Sequence, residues 1–288
     1  MKLTNIKINN TGLLFLFLSF IACSDKPEND LSNFNLKGKV KSFSQESYEV
    51  KVRNENIIKG RKIDGFNEPD DIFFSDSYRI HFKFDENGNK IEENNFNSKG
   101  KLHNKRIYKY NEKGNLFESS SLFNENETTK QIYHYNTKGK LTKINYYRNE
   151  EFFVADNYQY DDKGNLIKYS SWVIDPPKLQ WQTNYTYNQE GNVIKTDDDN
   201  WVTTYEYDDK GNKIVEKQIN KHDNGVIKSI YRYDEDENVI EKIEQNRTGE
   251  RQRSFFKYEF DKNDNWTKRI TFIFDKPSAI SIRKYEYF

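Results

Sequence analysis

The chain has 288 residues with 46 basic and 46 acidic side chains, so its formal net charge is zero and no basic excess draws it to nucleic acid or an anionic membrane surface. Aromatic residues make up 16% and there is a single cysteine, which excludes an internal disulfide and leaves the core to Tyr and Phe. No His-Glu-x-x-His, Gly-x-Ser-x-Gly or phosphate-loop motif occurs, so no catalytic residues, metal or cofactor are expected and the chain does not read as an enzyme.

In chain order, residues 1–22 place Lys2 and Lys7 ahead of an apolar run over residues 13–22, too short to span a bilayer of about 30 Å as a helix. They are predicted to be a secretory signal. Phe20-Ile21-Ala22-Cys23 resembles a bacterial lipobox, which implies lipidation of Cys23 after cleavage and a membrane anchor through it. The plainer alternative is an ordinary signal peptide with a chance cysteine. Without Lys2 and Lys7, 44 basic side chains (46 less 2) face 46 acidic ones, a net charge near −2. Residues 23–35, with Asp25, Pro27, Glu28 and Asp30, are polar and aperiodic and read as a flexible tether. Residues 36–77 read as N-terminal capping strands, because Tyr48-Glu49-Val50-Lys51-Val52 alternates with a period of two.

From residue 78 to residue 288 one sentence is repeated. Its plainest copy is Tyr158-Gln159-Tyr160-Asp161-Asp162-Lys163-Gly164-Asn165-Leu166. Tyr158 and Tyr160 share a face of an extended strand. The Asp and Gly then supply a hairpin turn, with the glycine in the left-handed region forming a bulge. Other copies carry Phe82 and Phe84 with Gly88, Tyr108 and Tyr110 with Gly114, Tyr133 and Tyr135 with Gly139, Tyr185 and Tyr187 with Gly191, and Tyr205 and Tyr207 with Gly211. Two later copies, Tyr231-Arg232-Tyr233-Asp234 and Tyr258-Glu259-Phe260-Asp261, have Glu237 and Asp264 at the glycine position, and Tyr285-Glu286-Tyr287 ends the chain. A period near 26 residues fits two strands and two turns. Leu141 is out of parity with Ile144 and Tyr146, which predicts a bulge after the turn. No 3.6-residue apolar period is sustained, so almost no helix is expected.

These copies resemble the tyrosine-aspartate (YD) repeat of the Rhs type, and the resemblance covers residues 78–288. With about eight copies and no autocleavage core or toxin segment, the chain looks like a short YD-repeat lipoprotein. The resemblance implies an outer-membrane lipoprotein of the cell envelope, periplasmic or surface-exposed, and carbohydrate binding. The expected fold is all-β: one elongated antiparallel meander of about eight hairpins, curved into an open sheet or partial shell, with a β-propeller as the alternative. Stability is then close to a sum of neighbour terms.

The aromatics outside the Tyr-x-Tyr positions are the candidate ligand-stacking residues: Trp172, Trp181, Trp201 and Trp266. Filling of the aromatic face is the competing reading for all four. His81, His103, His134 and His222 read as surface residues. The acidic runs at residues 197–200 and 234–238 read as turns, with Ca²⁺ binding as the alternative. The function expected is therefore a monomeric, non-catalytic envelope module that binds a glycan or an envelope protein. An immunity or structural scaffold lipoprotein binding a protein partner is the alternative.

Overall fold

The computed structural model describes residues 29–63, 78–123 and 127–288. The signal, Cys23 and the loop around Asp70 lie outside the described residues. A four-residue helix, α1 (Asp30–Asn33), precedes the hairpin of β1 (Val40–Arg53) and β2 (Asn56–Ile63). The repeats then supply β3 (Arg79–Phe84), β4 (Lys90–Phe96), β5 (Leu102–Tyr110), β6 (Leu116–Phe123), β7 (Glu127–Tyr135) and β8 (Leu141–Arg148). They continue with β9 (Glu151–Tyr160), β10 (Leu166–Val173), β11 (Lys178–Tyr187), β12 (Val193–Asp198), β13 (Trp201–Tyr207) and β14 (Lys213–Asn220). Last come β15 (Val226–Tyr233), β16 (Val239–Gln245), β17 (Arg251–Phe260), β18 (Trp266–Ile273) and β19 (Lys276–Tyr287).

From β3 to β19 each strand pairs antiparallel with the next, and β1 pairs with both β3 and β19. The ring of β1 and β3–β19 is a closed barrel of 18 strands. The expected open sheet, partial shell or propeller is thus overturned, and so is the elongated shape. The reason is β1, which lies outside the repeats: Phe43 pairs with Tyr285 on one side and Phe82 on the other. That strand satisfies the two edges an open meander would leave as unpaired donors and acceptors. A ring has no end repeats, so no terminal repeat is left to be capped.

The turns explain the Asp or Asn after each aromatic pair. At Asp208 the side-chain Oδ1 accepts from the backbone N–H groups of Lys210 (3.0 Å) and Asn212 (2.8 Å). Gly211 N–H donates to Asp208 O at 3.0 Å with φ +88° at the glycine, and the register shifts by one residue at Tyr207. This is the expected type I turn with a glycine bulge. The bulge foreseen near Leu141 is present too, since Tyr133 pairs with Ile144 but Tyr135 with Leu141. Glu237 keeps the glycine's conformation, φ +65°, with a side chain that disfavours it. Glu237→Gly is expected to raise the unfolding free energy by about 1 kcal/mol in urea titration. Neighbouring repeats are also stitched by tyrosine hydroxyls. Tyr135 donates to Leu116 O (2.7 Å), Tyr160 to Leu141 O (2.7 Å) and Tyr187 to Leu166 O (2.8 Å).

Helix α1 identifies which side of the wall faces inward. Asp30 Oδ2 accepts from Lys90 N–H at 2.7 Å, beside the β3–β4 turn, while Asn35 Nδ2 donates to Asp236 O at 3.0 Å in the β15–β16 turn. On the repeat strands the residue between the aromatics, as at Lys83, Lys109, Gln159 and Glu206, is exposed, while the aromatics beside it are buried or half-buried. The segment joins two well-separated turns on the aromatic side, which is therefore the concave one. Tyr110 hydroxyl also donates to Asp30, at 3.1 Å, so the Tyr-x-Tyr face lines the lumen. The segment's last residues, which composition placed in the tether, therefore pack inside the barrel: Leu31 and Phe34, with Leu36 just after the tether, cluster with Phe43, Phe82 and Phe84.

The outer wall carries ion pairs. Glu92 holds Lys83 (2.9 Å) and Lys105 (3.1 Å), Glu118 holds Lys109 (2.6 Å) and Lys130 (3.6 Å), and Glu241 holds Arg232 and Arg253. Between these ion pairs the wall also exposes Phe117, Ile167, Trp172, Ile194 and Ile240. Among the described residues no helix is long and apolar enough to cross a membrane.

Candidate functional site

All eight glycine-position turns open at one end of the barrel, together with residue 29 and the C-terminus, where Phe288 N–H bonds Lys39 O at 3.1 Å. The opposite mouth is built from the other connections. Its rim dips at the β12–β13 hairpin, whose turn follows Asp198 directly, whereas β11, paired there through Thr183, runs five residues further to Lys178. That step is about 17 Å.

Two tryptophans flank the dip on the lumenal face. Trp181 pairs with Ser171, two residues above Thr183, and its Nε1 donates to Thr183 Oγ1 at 2.9 Å. Trp201 pairs with Asn220 just past the turn, with the Arg247 guanidinium 4.9 Å from its ring centre. Both rings are half-buried. The other two tryptophans do not join them. Trp172 is 39% exposed on the outer wall, and Trp266 is 7% exposed near the glycine-turn end, with the Arg283 guanidinium 3.9 Å from its ring. Four residues taken together from sequence therefore separate into one lumenal pair, one outer-wall ring and one core ring.

The acidic runs are occupied as turns. Asp198 Oδ1 accepts from Asn200 and Trp201 N–H, each at 2.8 Å. Asp197 holds Lys221 (2.6 Å) and Lys195 (2.9 Å), and these two cations keep its carboxyl below the usual range. Asp234 Oδ1 accepts from Asp236 (3.0 Å) and Asn238 (2.8 Å) N–H. Among the histidines, His134 Nε2 lies 3.1 Å from Asn145 Nδ2 and His222 Nε2 lies 3.0 Å from Asn200 Oδ1. His81 is half-buried and held below its ordinary pKa by that burial, and His103 packs edge-on against Phe123 at 4.5 Å.

Beside Trp181 lies a feature that motif reading missed. The cross-strand row Ile144, Asp156, Ser171, Trp181 runs along the lumenal face of β8 to β11. Asp156 is only 3% exposed, and Tyr146 hydroxyl donates to its Oδ2 at 2.7 Å. Tyr133, Tyr146, Tyr169 and Tyr185 pack around Tyr158 over the same patch. Burial pushes the Asp156 carboxyl above the usual range, and the hydroxyls of Ser171, Tyr146 and Tyr169 offset that only in part. A signal for it exists in the repeat. The residue two before the first aromatic of each copy is Ile80, Arg106, Gln131, Asp156, Thr183, Thr203, Ser229, Phe256 or Arg283, and Asp156 is the one acid among them.

The contrast with the next charged group is informative. Lys90, Glu93 and Arg106 also sit on the lumenal face, but there two cations face the carboxylate: Lys90 Nζ lies 3.3 Å from Glu93, and Tyr108 hydroxyl donates to Glu93 at 2.9 Å. Burial would raise Glu93, yet Lys90 and Arg106 outweigh it and hold the carboxyl down. Among the described residues Asp156 has no such cation. Asp156→Asn is therefore expected to stabilise the fold by about 1 kcal/mol at neutral pH. Because the folded-state pKa is raised, the folded protein binds the proton more tightly than the unfolded chain. The penalty of ionising Asp156 grows as pH rises through the folded value and is gone below about pH 4, the unfolded pKa. Urea unfolding of both proteins across pH measures the difference; an equal gap at pH 3 and pH 7 would refute the explanation.

No family model and no curated protein sequence matches the chain. Among solved structures, the crystal structure of TcdB2-TccC3-Cdc42 is similar over 82% of this chain and 14% of that one, at 15% identity and a TM-score of 0.38. TcdB2-TccC3 itself covers 78% and 14%, at 14% identity and a TM-score of 0.38. A porin-like protein from Bacteroides uniformis ATCC 8492 is similar over 87% of this chain and 98% of that one, at 9% identity and a TM-score of 0.41. The chain spans about one-seventh of the length of the TcdB2-TccC3 chains.

Proposed function

We propose that this barrel is a non-catalytic binding lipoprotein of the cell envelope, anchored through Cys23, that takes a carbohydrate chain on its lumenal wall at the mouth opposite the anchor. The observation that carries the reading is the pair Trp181 and Trp201, half-buried on the lumenal face on either side of the lowered β12–β13 hairpin. Flat indole faces with adjacent hydroxyl, amide and carboxylate groups suit sugar rings, which offer apolar C–H faces and polar edges. Residue 29 sits at the glycine-turn end, so a tether from Cys23 leaves from that end and directs the tryptophan mouth away from the membrane.

The test is a glycan-array screen of the chain from Ser24, followed by titration with tryptophan fluorescence. Saturable binding lost in Trp181→Ala or Trp201→Ala, and kept in the outer-wall variant Trp172→Ala, is the expected result. Equal loss in all three variants, or a flat response to every sugar, would sink the reading. A protein partner, whether a neutralised toxin or an envelope scaffold, is the second reading. It is favoured by Val52 and Phe274, 58% and 60% exposed on the adjacent β1–β2 and β18–β19 hairpins.

A further inference from the structure

Asp156 and Tyr158 stand out among the lumenal polar groups. Asp156 Oδ1 and the Tyr158 hydroxyl have no hydrogen-bond partner among the described residues, although the two side chains are 3% and 5% exposed. Buried polar atoms are rarely left unmatched, because each costs about 1–3 kcal/mol. Among the described residues the carboxylate also has no cation near it, whereas the lumenal Glu93, equally buried, has Lys90 and Arg106. Around it the surroundings are phenol rings: Tyr146 bonds the other oxygen, Tyr158 and Tyr169 lie with ring centres 5.5 Å apart, and Tyr133 and Tyr185 complete the patch. Tyr133, Tyr146, Tyr169 and Tyr185 are half-buried and cover the two closed-off oxygens from the lumenal side, so a ligand reaches those oxygens when a covering ring turns aside.

A buried carboxylate ringed by aromatic faces is the surrounding that an ammonium group needs. The carboxylate offers a charge-assisted hydrogen bond, the ring faces attract the cation, and an unpartnered phenol oxygen accepts a further N–H. Asp156 is moreover not isolated from the tryptophan mouth. It shares a cross-strand row with Trp181, separated by Ser171 alone, so the two are two strand spacings apart, about 10 Å. That is the distance between neighbouring or next-neighbouring units of a sugar chain lying along the wall.

We infer that Asp156, with Tyr146, Tyr158 and Tyr169, forms an ammonium subsite that recognises the free amine of an amino sugar while a neighbouring unit stacks on Trp181. The inference rests on the carbohydrate reading above and adds the substrate class to it: glycans with unacetylated amines. The repeat explains how such a subsite arises without disturbing the barrel. The aromatic pair, the Asp or Asn and the glycine build the wall, while the position two residues earlier faces the lumen and is free to vary from Arg106 to Asp156.

The test uses the chain from Ser24 and three oligosaccharides of matched length, built from glucosamine, N-acetylglucosamine or glucose, titrated by calorimetry at about pH 6, where the amine is charged. Methylammonium and an Nα-blocked lysine amide are titrated alongside. Glucosamine chains are expected to bind at least about tenfold more tightly than the other two, and Asp156→Asn is expected to remove that preference. The variant keeps the side chain's shape, and its folding is checked by circular dichroism. In wild type the Tyr158 and Tyr169 ring resonances should shift with methylammonium, and in Asp156→Asn they should not. Equal affinity for all three chains, unchanged in Asp156→Asn, overturns the ammonium subsite while leaving carbohydrate binding intact. Methylammonium binding that depends on Asp156, with no oligosaccharide bound, keeps the subsite and refutes the sugar chain. Tighter binding of the lysine amide than of glucosamine overturns the amino-sugar assignment.

Discussion

Replacing Phe43 by alanine lowers the unfolding free energy by about 3–5 kcal/mol, the cost of emptying a fully buried aromatic site. Phe43 has 0% exposure, and its ring lies 5.0 Å from Phe82, 5.6 Å from Phe34 and 5.8 Å from Tyr285. It is also the residue at which β1 joins the first repeat strand to the last. Its loss is therefore expected to act on both sides of the seam at once. Native-state hydrogen exchange should speed up in β3 and in β19, which are some 200 residues apart in sequence, together with β1. Phe117→Ala, at a site 40% exposed, is the control and stays within about 0.5 kcal/mol. Faster exchange in β1 alone would mean that β19 and β3 do not depend on it for closure.

Gly88→Ala is expected to cost more than Gly114→Ala, although both glycines occupy the same place in the repeat. Each has positive φ, +83° and +78°, so each alanine pays about 1–2 kcal/mol for the left-handed backbone. At Gly114 an added Cβ meets nothing within 4 Å, whereas at Gly88 it would lie 2.5 Å from Asn29 Nδ2, 2.8 Å from Asn29 Cγ and 3.0 Å from Leu31 Cδ1. Asn29 Nδ2 also donates to Asn87 O at 2.9 Å, and Leu31 N–H bonds Gly88 O at 3.2 Å. The methyl group must displace the Asn29 side chain from its bond to Asn87 O and press on Leu31, which loosens the hold of α1 on the lumenal wall. Gly88→Ala should be about 2 kcal/mol worse than Gly114→Ala by urea unfolding, with new proteolytic cleavage near residue 31. Equal costs would show that α1 contributes nothing to the barrel's stability.

The repeats were readable because their chemistry is local. A Tyr-x-Tyr pair fixes one face of a strand, an Asp at the next position caps the turn, and a glycine three residues on accepts positive φ; each step involves residues within a few positions of one another. Asp156 was readable in principle by the same parity, as the acid that shares a face with Tyr158 and Tyr160, but only once that face is known to be lumenal. The tryptophans show the limit. Trp172 and Trp181 flank one hairpin, yet the register shift between Ser171 and Trp172 and the pairing of Trp172 with Leu179 put their rings on opposite sides of the wall.

By itself the sequence determined the number of hairpins, the turn type and the division of each strand into an aromatic and a polar face, since those follow from side-chain period and backbone sterics. Only the tertiary structure decided that the meander closes. Whether a strand outside the repeats can pair with both free edges depends on the accumulated twist and curvature of seventeen strands, a sum that no local pattern records. Closure then decided the rest: it turned the aromatic face inward, drew α1 across the lumen, and placed Trp181 and Asp156 on one concave wall.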